Sequence, residues 1–391
     1  MTTVHKTRQI FLAEDTISKD ELKNLSEWIL AGNRLTKSEE TRAFEEEFAA
    51  WNGSEYAVYT NSGSSSNLLM LYALKQAGKL RNNKAVAASV SWVTTVSPLM
   101  QFGFETILCD CDQDNLGIDL NHLEQICKIH EPSVLILVHV LGHPNHMREI
   151  LEICDRYGVL LLEDSCEALG SSFNDIKLSN FGVAGSFSFY YGHHISTIEG
   201  GMVVTKDYEL YQLMLSLRSH GWSRDLSEEK RISLTNANDV DEFRNLYTFY
   251  YPGFNLRSTD LQAFIGRSQL KKLPNIVTAR EENFSIYKDN LKDFFTQTST
   301  ASQLSSFAYG TFVANRMDVY HQLKNNNIEA RPLICGNIAR HPFWPDKKEA
   351  LNLKNANKVH DYGIYLPNHA NLSERDILFV SEVFNDIAIP I

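Results

Sequence analysis

No stretch of this chain is rich in lysine and arginine, and its formal net charge at neutral pH is −11. A protein whose main work is binding nucleic acid or an anionic membrane carries a basic patch, so neither partner is expected. No apolar run approaches the length that crosses a bilayer. The opening MTTVHKTRQIFLAEDT has no apolar centre and no cleavage signal, so no secretory leader is expected. Cysteine is scarce. Residues 109, 111, 127, 154, 166 and 335 form no framework, which points to reduced thiols in a cytoplasmic protein. Cys109-Asp110-Cys111 is too short for a metal or cluster pair without matching partners, and reads as a strand with both thiols on one face. Internal repeats and low-complexity tails are also missing.

What is present is a globular composition, 43% hydrophobic and 22% charged over 391 residues. That suffices for a sizeable core, arranged as one large α/β domain with a smaller companion or as two to three ordinary domains. Before Pro252, apolar runs at 57–60, 85–91, 105–110, 133–140, 158–163, 186–190 and 202–205 read as strands. Helical patterns at 65–76, 120–130, 146–157 and 208–219 fall between several of them. VLILVHV and GVLLLED are continuously apolar, as strands covered on both faces are. This alternation predicts a layered α/β domain, with ligands bound beyond the carboxyl ends of the strands. After about Pro274 the pattern changes. A charged helix at 277–294, the polar stretch TQTSTASQLSS, a strand, a helix at 318–325 and IEARPLICGN predict a smaller α+β unit. The boundary is placed between 255 and 256.

The loops after the strands carry the chemistry. In YTNSGSSSNLLMLYAL a strand runs into Asn61-Ser62-Gly63-Ser64-Ser65-Ser66 and then a helix. Free amides at a helix start, with serine hydroxyls beside them, make a phosphate seat; a heavily capped helix start is the alternative. Trp92, after the second strand, either stacks on a planar ligand or packs. In LLLEDSCEALG the carboxylates of Glu163, Asp164 and Glu167 follow an apolar strand. A buried carboxylate needs a partner, and a protonated ring nitrogen or a helix start would each provide one. His139, His143 and His146 in HVLGHPNH lie across a strand end and a turn, so no metal site is expected. GSFSFYYGHHISTIEGGMVV places His193 and His194 in a connection between two sheet elements, where site residues often lie.

Taken in order, NSGSSSNLL, HVLGHP, LLLEDSCEALG, SFSFYYGHHISTIEGGMV, LRSHGW, YPGFNLRSTDLQAFIG and IEARPLICGN resemble the DegT/DnrJ/StrS type of sugar aminotransferase over nearly the whole chain. The resemblance implies the type I fold of pyridoxal-phosphate enzymes, a large mixed or parallel sheet with a smaller C-terminal α+β domain. It implies pyridoxal 5′-phosphate or pyridoxamine 5′-phosphate as cofactor. Most of the family has lysine where this chain has His193, and that lysine bonds covalently to the cofactor. Imidazole cannot, so the cofactor is expected to be held without a covalent link.

Residue by residue, the resemblance implies that Gly63, Ser64 and Ser65, with Ser188, hold the cofactor phosphate. Trp92 stacks on the ring and Asp164 pairs with its protonated nitrogen. Glu167 stands where the family usually has glutamine near the ring hydroxyl. Asn255 reaches the phosphate of a neighbouring subunit, implying a homodimer with shared sites. Arg224, Arg257 and Glu329 fall where the histidine-carrying branch contacts substrate. His193 becomes the catalytic base, since a neutral imidazole moves protons near neutral pH. His194 either orients it or packs, and packing is favoured. The retained Asp164, Trp92 and serine loop argue against a non-catalytic descendant. Two reactions follow, both loading the amine from L-glutamate. The first is amination of a keto or aldehydo sugar for a surface polysaccharide, with 8-amino-3,8-dideoxy-manno-octulosonate as the expected product. The second is 3-dehydration of GDP-4-keto-6-deoxymannose. Amination is placed first, on the family's prevailing chemistry.

Overall fold

The computed structural model describes residues 8–391; the first seven residues of the opening segment read above lie outside them. The strands are β1 Tyr56–Thr60, β2 Lys84–Ala88, β3 Glu105–Cys109, β4 Val134–Val138, β5 Leu160–Asp164, β6 Ser172–Phe173, β7 Ile176–Lys177, β8 Ala184–Ser188, β9 Gly201–Thr205, β10 Tyr309–Phe312, β11 Arg331–Pro332 and β12 Gly363–Leu366. Seven of them form one sheet in the order β1-β9-β8-β5-β4-β2-β3. Every pairing is parallel except those of β9, which runs against both β1 and β8.

The apolar runs explain the layering. Along β4, Val134, Ile136 and Val138 enter one buried cluster while Leu135 and Leu137 enter another. Side chains alternate across a strand, so a continuously apolar strand supplies two cores at once. Helices Gly63–Gln76, Leu120–His130, Met147–Tyr157 and Tyr208–Arg218 cover the sheet. The carboxyl ends of β1, β2, β5 and β8 lie at one edge, and the antiparallel β9 starts there at Gly201.

Three local expectations shift. The second strand ends at Ala88, not at 91, because the Ser91 hydroxyl donates to the Ala88 carbonyl (2.9 Å) and turns the chain. The Cys109–Cys111 pair does not share a face: β3 stops at Cys109, and Cys111 packs into a different cluster. The cause is Asp110, whose Oδ1 accepts from the amides of Cys111 and Ala356 (2.9 and 2.8 Å) and bends the strand end. The helix expected from 277 begins at Asp260 and runs unbroken to Asn290, straight through Pro274. A proline inside a helix removes one backbone bond, but this one is exposed while the flanking turns are held by packing. Leu270, Leu273, Ile276 and Val277 join the cluster of Phe44 and Phe48. Phe284, Tyr287 and Leu291 join that of the C-terminal sheet β10-β12-β11.

Candidate active site

The serine loop is pressed into place by two glycines. A Cβ on Gly63 would lie 2.5 Å from the Ser188 Cβ and 3.1 Å from the Cys166 sulfur, and one on Gly201 would lie 2.4 Å from the Ser62 carbonyl carbon. The helix start therefore abuts the end of β8. Ser62 caps the helix, its hydroxyl accepting from the Ser65 amide (3.1 Å). The capping reading thus holds for Ser65, whose amide is occupied. The amides of Gly63 and Ser64, in the first helical turn, have no intrahelical acceptor by helix geometry. The Ser64 hydroxyl donates to Thr94 (3.1 Å), which ties the loop to the helix Val93–Gln101. Trp92 stands immediately before that helix and is 56% exposed, so it is not a packing tryptophan.

Asp164 ends β5 and is almost completely buried. Its Oδ2 accepts from Asn67 Nδ2 and from the Thr95 hydroxyl, each at 2.7 Å; its Oδ1 accepts from the Cys166 amide at 3.1 Å. No cation pairs with it among the described residues. Three neutral donors hold the carboxylate in one orientation, with Oδ1 taking only a backbone amide. Glu163, one residue earlier, points to the opposite face, where it accepts from the amides of Ser179, Phe181 and Gly182 and meets His139 Nε2 at 3.2 Å. Glu163 is structural. Glu167 accepts from the Leu141 amide (2.9 Å), and burial, reinforced by Asp164, pushes its pKa up to about 8. Its carboxyl is therefore mainly protonated at neutral pH and can donate, as the amide of glutamine does.

His193 is partly buried, with a tilted ring 5.3 Å from that of Phe307 and a buried Nδ1 that has no partner. Burial pulls its pKa down to about 4, against weaker opposing influences of a backbone hydrogen bond at Cys166 and of Asp164. The imidazole is thus neutral at pH 7 and a weaker base than a solvated histidine. His194 is fully buried and its Nε2 donates to the Ser305 carbonyl (3.1 Å). Its Nε2 is committed to that carbonyl and not to His193. Further along the same loop Ile198 adopts φ 70°. A β-branched residue rarely does so, and such strain concentrates at functional loops.

The structure brings Gly63, Ser64, Trp92, Asp164 and Ser188 to one edge of the sheet. Arg257 pairs with Thr60 in a backbone bridge next to the serine loop. Its Nε donates to Asn255 Oδ1 (3.0 Å) and its Nη2 to His220 Nε2 (3.2 Å). Arg224 lies 4.2 Å over the Trp222 ring and 5.1 Å from that of Tyr247. Glu329 is not brought to this group; its carboxylate accepts from the Leu12 amide (3.0 Å) on the N-terminal segment. Of the three histidines weighed for a metal, His139 is engaged by Glu163, His143 is buried against Phe284, and His146 precedes a helix. Among the described residues no helix is long and apolar enough to cross a membrane. Sequence reasoning missed Asn67 and Thr95. Each is a polar residue in the first turns of a helix that follows a sheet strand, and that placement is the signal that points to them.

This geometry fits a pyridoxal-type cofactor: an oriented carboxylate, a helix start with free amides and an exposed tryptophan on one edge. The chain is 33% identical to the GDP-4-keto-6-deoxy-D-mannose 3-dehydratase of Escherichia coli O55:H7, over 92% of this chain and 95% of that one. It superposes on a solved GDP-4-keto-6-deoxymannose-3-dehydratase, a histidine-to-asparagine variant with bound GDP-perosamine, with a TM-score of 0.88 and 32% identity, covering 96% and 100% of the two chains. A second structure of such a dehydratase, with a trapped PLP-glutamate geminal diamine, gives 0.84 and 30% over 95% and 99%. The fold is that of pyridoxal-phosphate-dependent aminotransferases, and pyridoxal or pyridoxamine phosphate is the cofactor. The sequence profile of one family matches residues 15–385. The chain belongs to the DegT/DnrJ/EryC1/StrS aminotransferase family.

Proposed function

We propose that this protein removes a hydroxyl group from a nucleotide-linked keto sugar, with His193 carrying the proton and L-glutamate supplying the amine. The observation that carries the reading is an uncharged, partly buried imidazole at the position where most of the family has its cofactor-binding lysine. It is supported by the likeness to the 3-dehydratases. The cofactor, when bound, supplies an electron sink that loosens bonds next to the substrate carbon it holds. Asp164 keeps the ring nitrogen protonated, Trp92 covers a ring face, and Glu167 donates to the ring hydroxyl. The amides of Gly63 and Ser64 and the Ser188 hydroxyl bind the phosphate; Ser65 has a lesser part, its amide being occupied. His193 takes a proton from one carbon and returns it elsewhere. Arg224 and Arg257 are assigned to the substrate's phosphates, and Glu329 to its sugar by way of the N-terminal segment. Asn255 is assigned to the phosphate site of a second copy in a homodimer. The six free thiols accord with a reducing, cytoplasmic setting.

Amination, placed first on sequence grounds, uses the same residues up to the last step. The likeness to GDP-4-keto-6-deoxymannose 3-dehydratases gives the octulosonate product no support. Mass spectrometry of products after incubation with cofactor, glutamate and GDP-4-keto-6-deoxymannose separates the two. Loss of the hydroxyl supports deoxygenation, and retention of an amine on the sugar overturns it.

A further inference from the structure

Arg280, midway along the helix Asp260–Asn290, is 3% exposed, and among the described residues no carboxylate pairs with it. Its Nη1 donates to the carbonyls of Asn368 (2.6 Å), Phe307 (2.9 Å) and Ser306 (3.3 Å), while its Nε is buried without a partner. Burial lowers its pKa to about 9, so it stays charged at neutral pH. A buried cation without a counter-ion is costly. His369, 4% exposed, has neither ring nitrogen in a hydrogen bond.

Both residues line a cavity of about 340 Å³, together with His193, His194 and Lys272. Neither Gly63, Ser64, Trp92, Asp164 nor Ser188 borders it. The acidic side chains on its wall are already engaged or exposed. Glu14 is paired with Arg8 at 2.6 Å, and Asp15 is exposed and accepts from the Ile17 amide at 2.9 Å. Lys272 is committed to Glu21. Because His194 donates through Nε2, its Nδ1 is an acceptor and does not serve an anion. The unanswered positive charge is that of Arg280, and the spare N–H beside it is that of His369. With a water's share of volume near 30 Å³, the cavity has room for roughly ten waters or a small organic acid.

We propose that this cavity is a binding site for a small carboxylate, held by Arg280 and His369 and separate from the cofactor seat. It shares the His193 wall with the reaction centre, but the groups that would bind the carboxylate are Arg280 and His369 and not the proton carrier. The test is calorimetric titration of succinate, which has no carbonyl or amine to react, into the full-length protein carrying its cofactor. One succinate per chain is expected. Arg280→Gln removes carbonyl contacts as well as the charge, so it is paired with His369→Leu, which removes no hydrogen bond. Each should weaken binding roughly tenfold or more. Absence of binding, equal affinity in His369→Leu, or binding only to protein stripped of its cofactor would overturn the proposal, the last by moving succinate to the cofactor seat.

Discussion

The Thr95 hydroxyl donates to Asp164 Oδ2 at 2.7 Å, so the helix that follows Trp92 is fastened to the carboxylate that ends β5. Asn67, from the helix after the serine loop, donates to the same oxygen at the same distance. Two helices that carry separate parts of the site thus converge on one atom. Replacing Asp164 by Asn puts an amide where donors already point and removes the charge proposed to face the ring nitrogen. Turnover should fall by about 10²-fold or more, and stability by roughly 1–3 kcal/mol from the mismatched bonds. Thr95→Val, which removes one donor and keeps the charge, should cost about tenfold. Steady-state kinetics and thermal melts on the two variants check this; equal losses would contradict the separation of charge from orientation.

Gly63 meets Ser188 too closely to accept a side chain. Gly63→Ala should push the helix start away from β8, at a cost of about 1–3 kcal/mol, and release the cofactor on dialysis. Melting temperature and retained absorbance after gel filtration measure both effects.

His143 is buried, neither of its ring nitrogens is partnered, and burial lowers its pKa from 6.5 to about 3. The unfolded chain therefore binds more protons than the folded one between these values. Stability present above pH 6.5 is lost as pH falls through that window, on the order of 3 kcal/mol by pH 4 from this residue. His193 and His369, both near 4, act in the same direction. His143→Leu should leave stability at pH 7 nearly unchanged and flatten its decline between pH 6.5 and 4, measured by urea unfolding at each pH.

His193 cannot bond covalently to a carbonyl cofactor. Borohydride treatment of the resting protein, followed by intact-mass measurement, should leave the chain's mass unchanged. A pyridoxyl adduct on any lysine would contradict this.

Much of the sheet was legible because β1, β4, β5 and β9 are short apolar runs ended by polar residues, and burial on both faces leaves little else they could be. Asp164 was legible for the same reason, but its division of labour with Glu163 was not. Adjacent strand residues face opposite ways, and only the packing shows that the amides of Ser179, Phe181 and Gly182 wait on Glu163's side. Asn67 and Thr95 were hidden because polar residues near a helix start usually serve the helix itself. The turn through Pro274 was misread because exposure on one side and apolar packing on the other outweigh a single lost backbone bond. The polar stretch TQTSTASQLSS gave no hint that Ser305 and Ser306 are buried, with the Ser305 carbonyl accepting from His194.

The central claim is that His193, and not His194, moves the proton. Single-turnover absorbance with glutamate on His193→Asn and His194→Asn tests it most directly. In His193→Asn the cofactor should stay bound, because its phosphate seat and Trp92 are untouched, while conversion to the amine form slows by about 10²–10⁴-fold. In His194→Asn the melting temperature should fall with the lost bond to Ser305, and the conversion rate should change little. A stalled His194→Asn beside a near-normal His193→Asn would contradict the account.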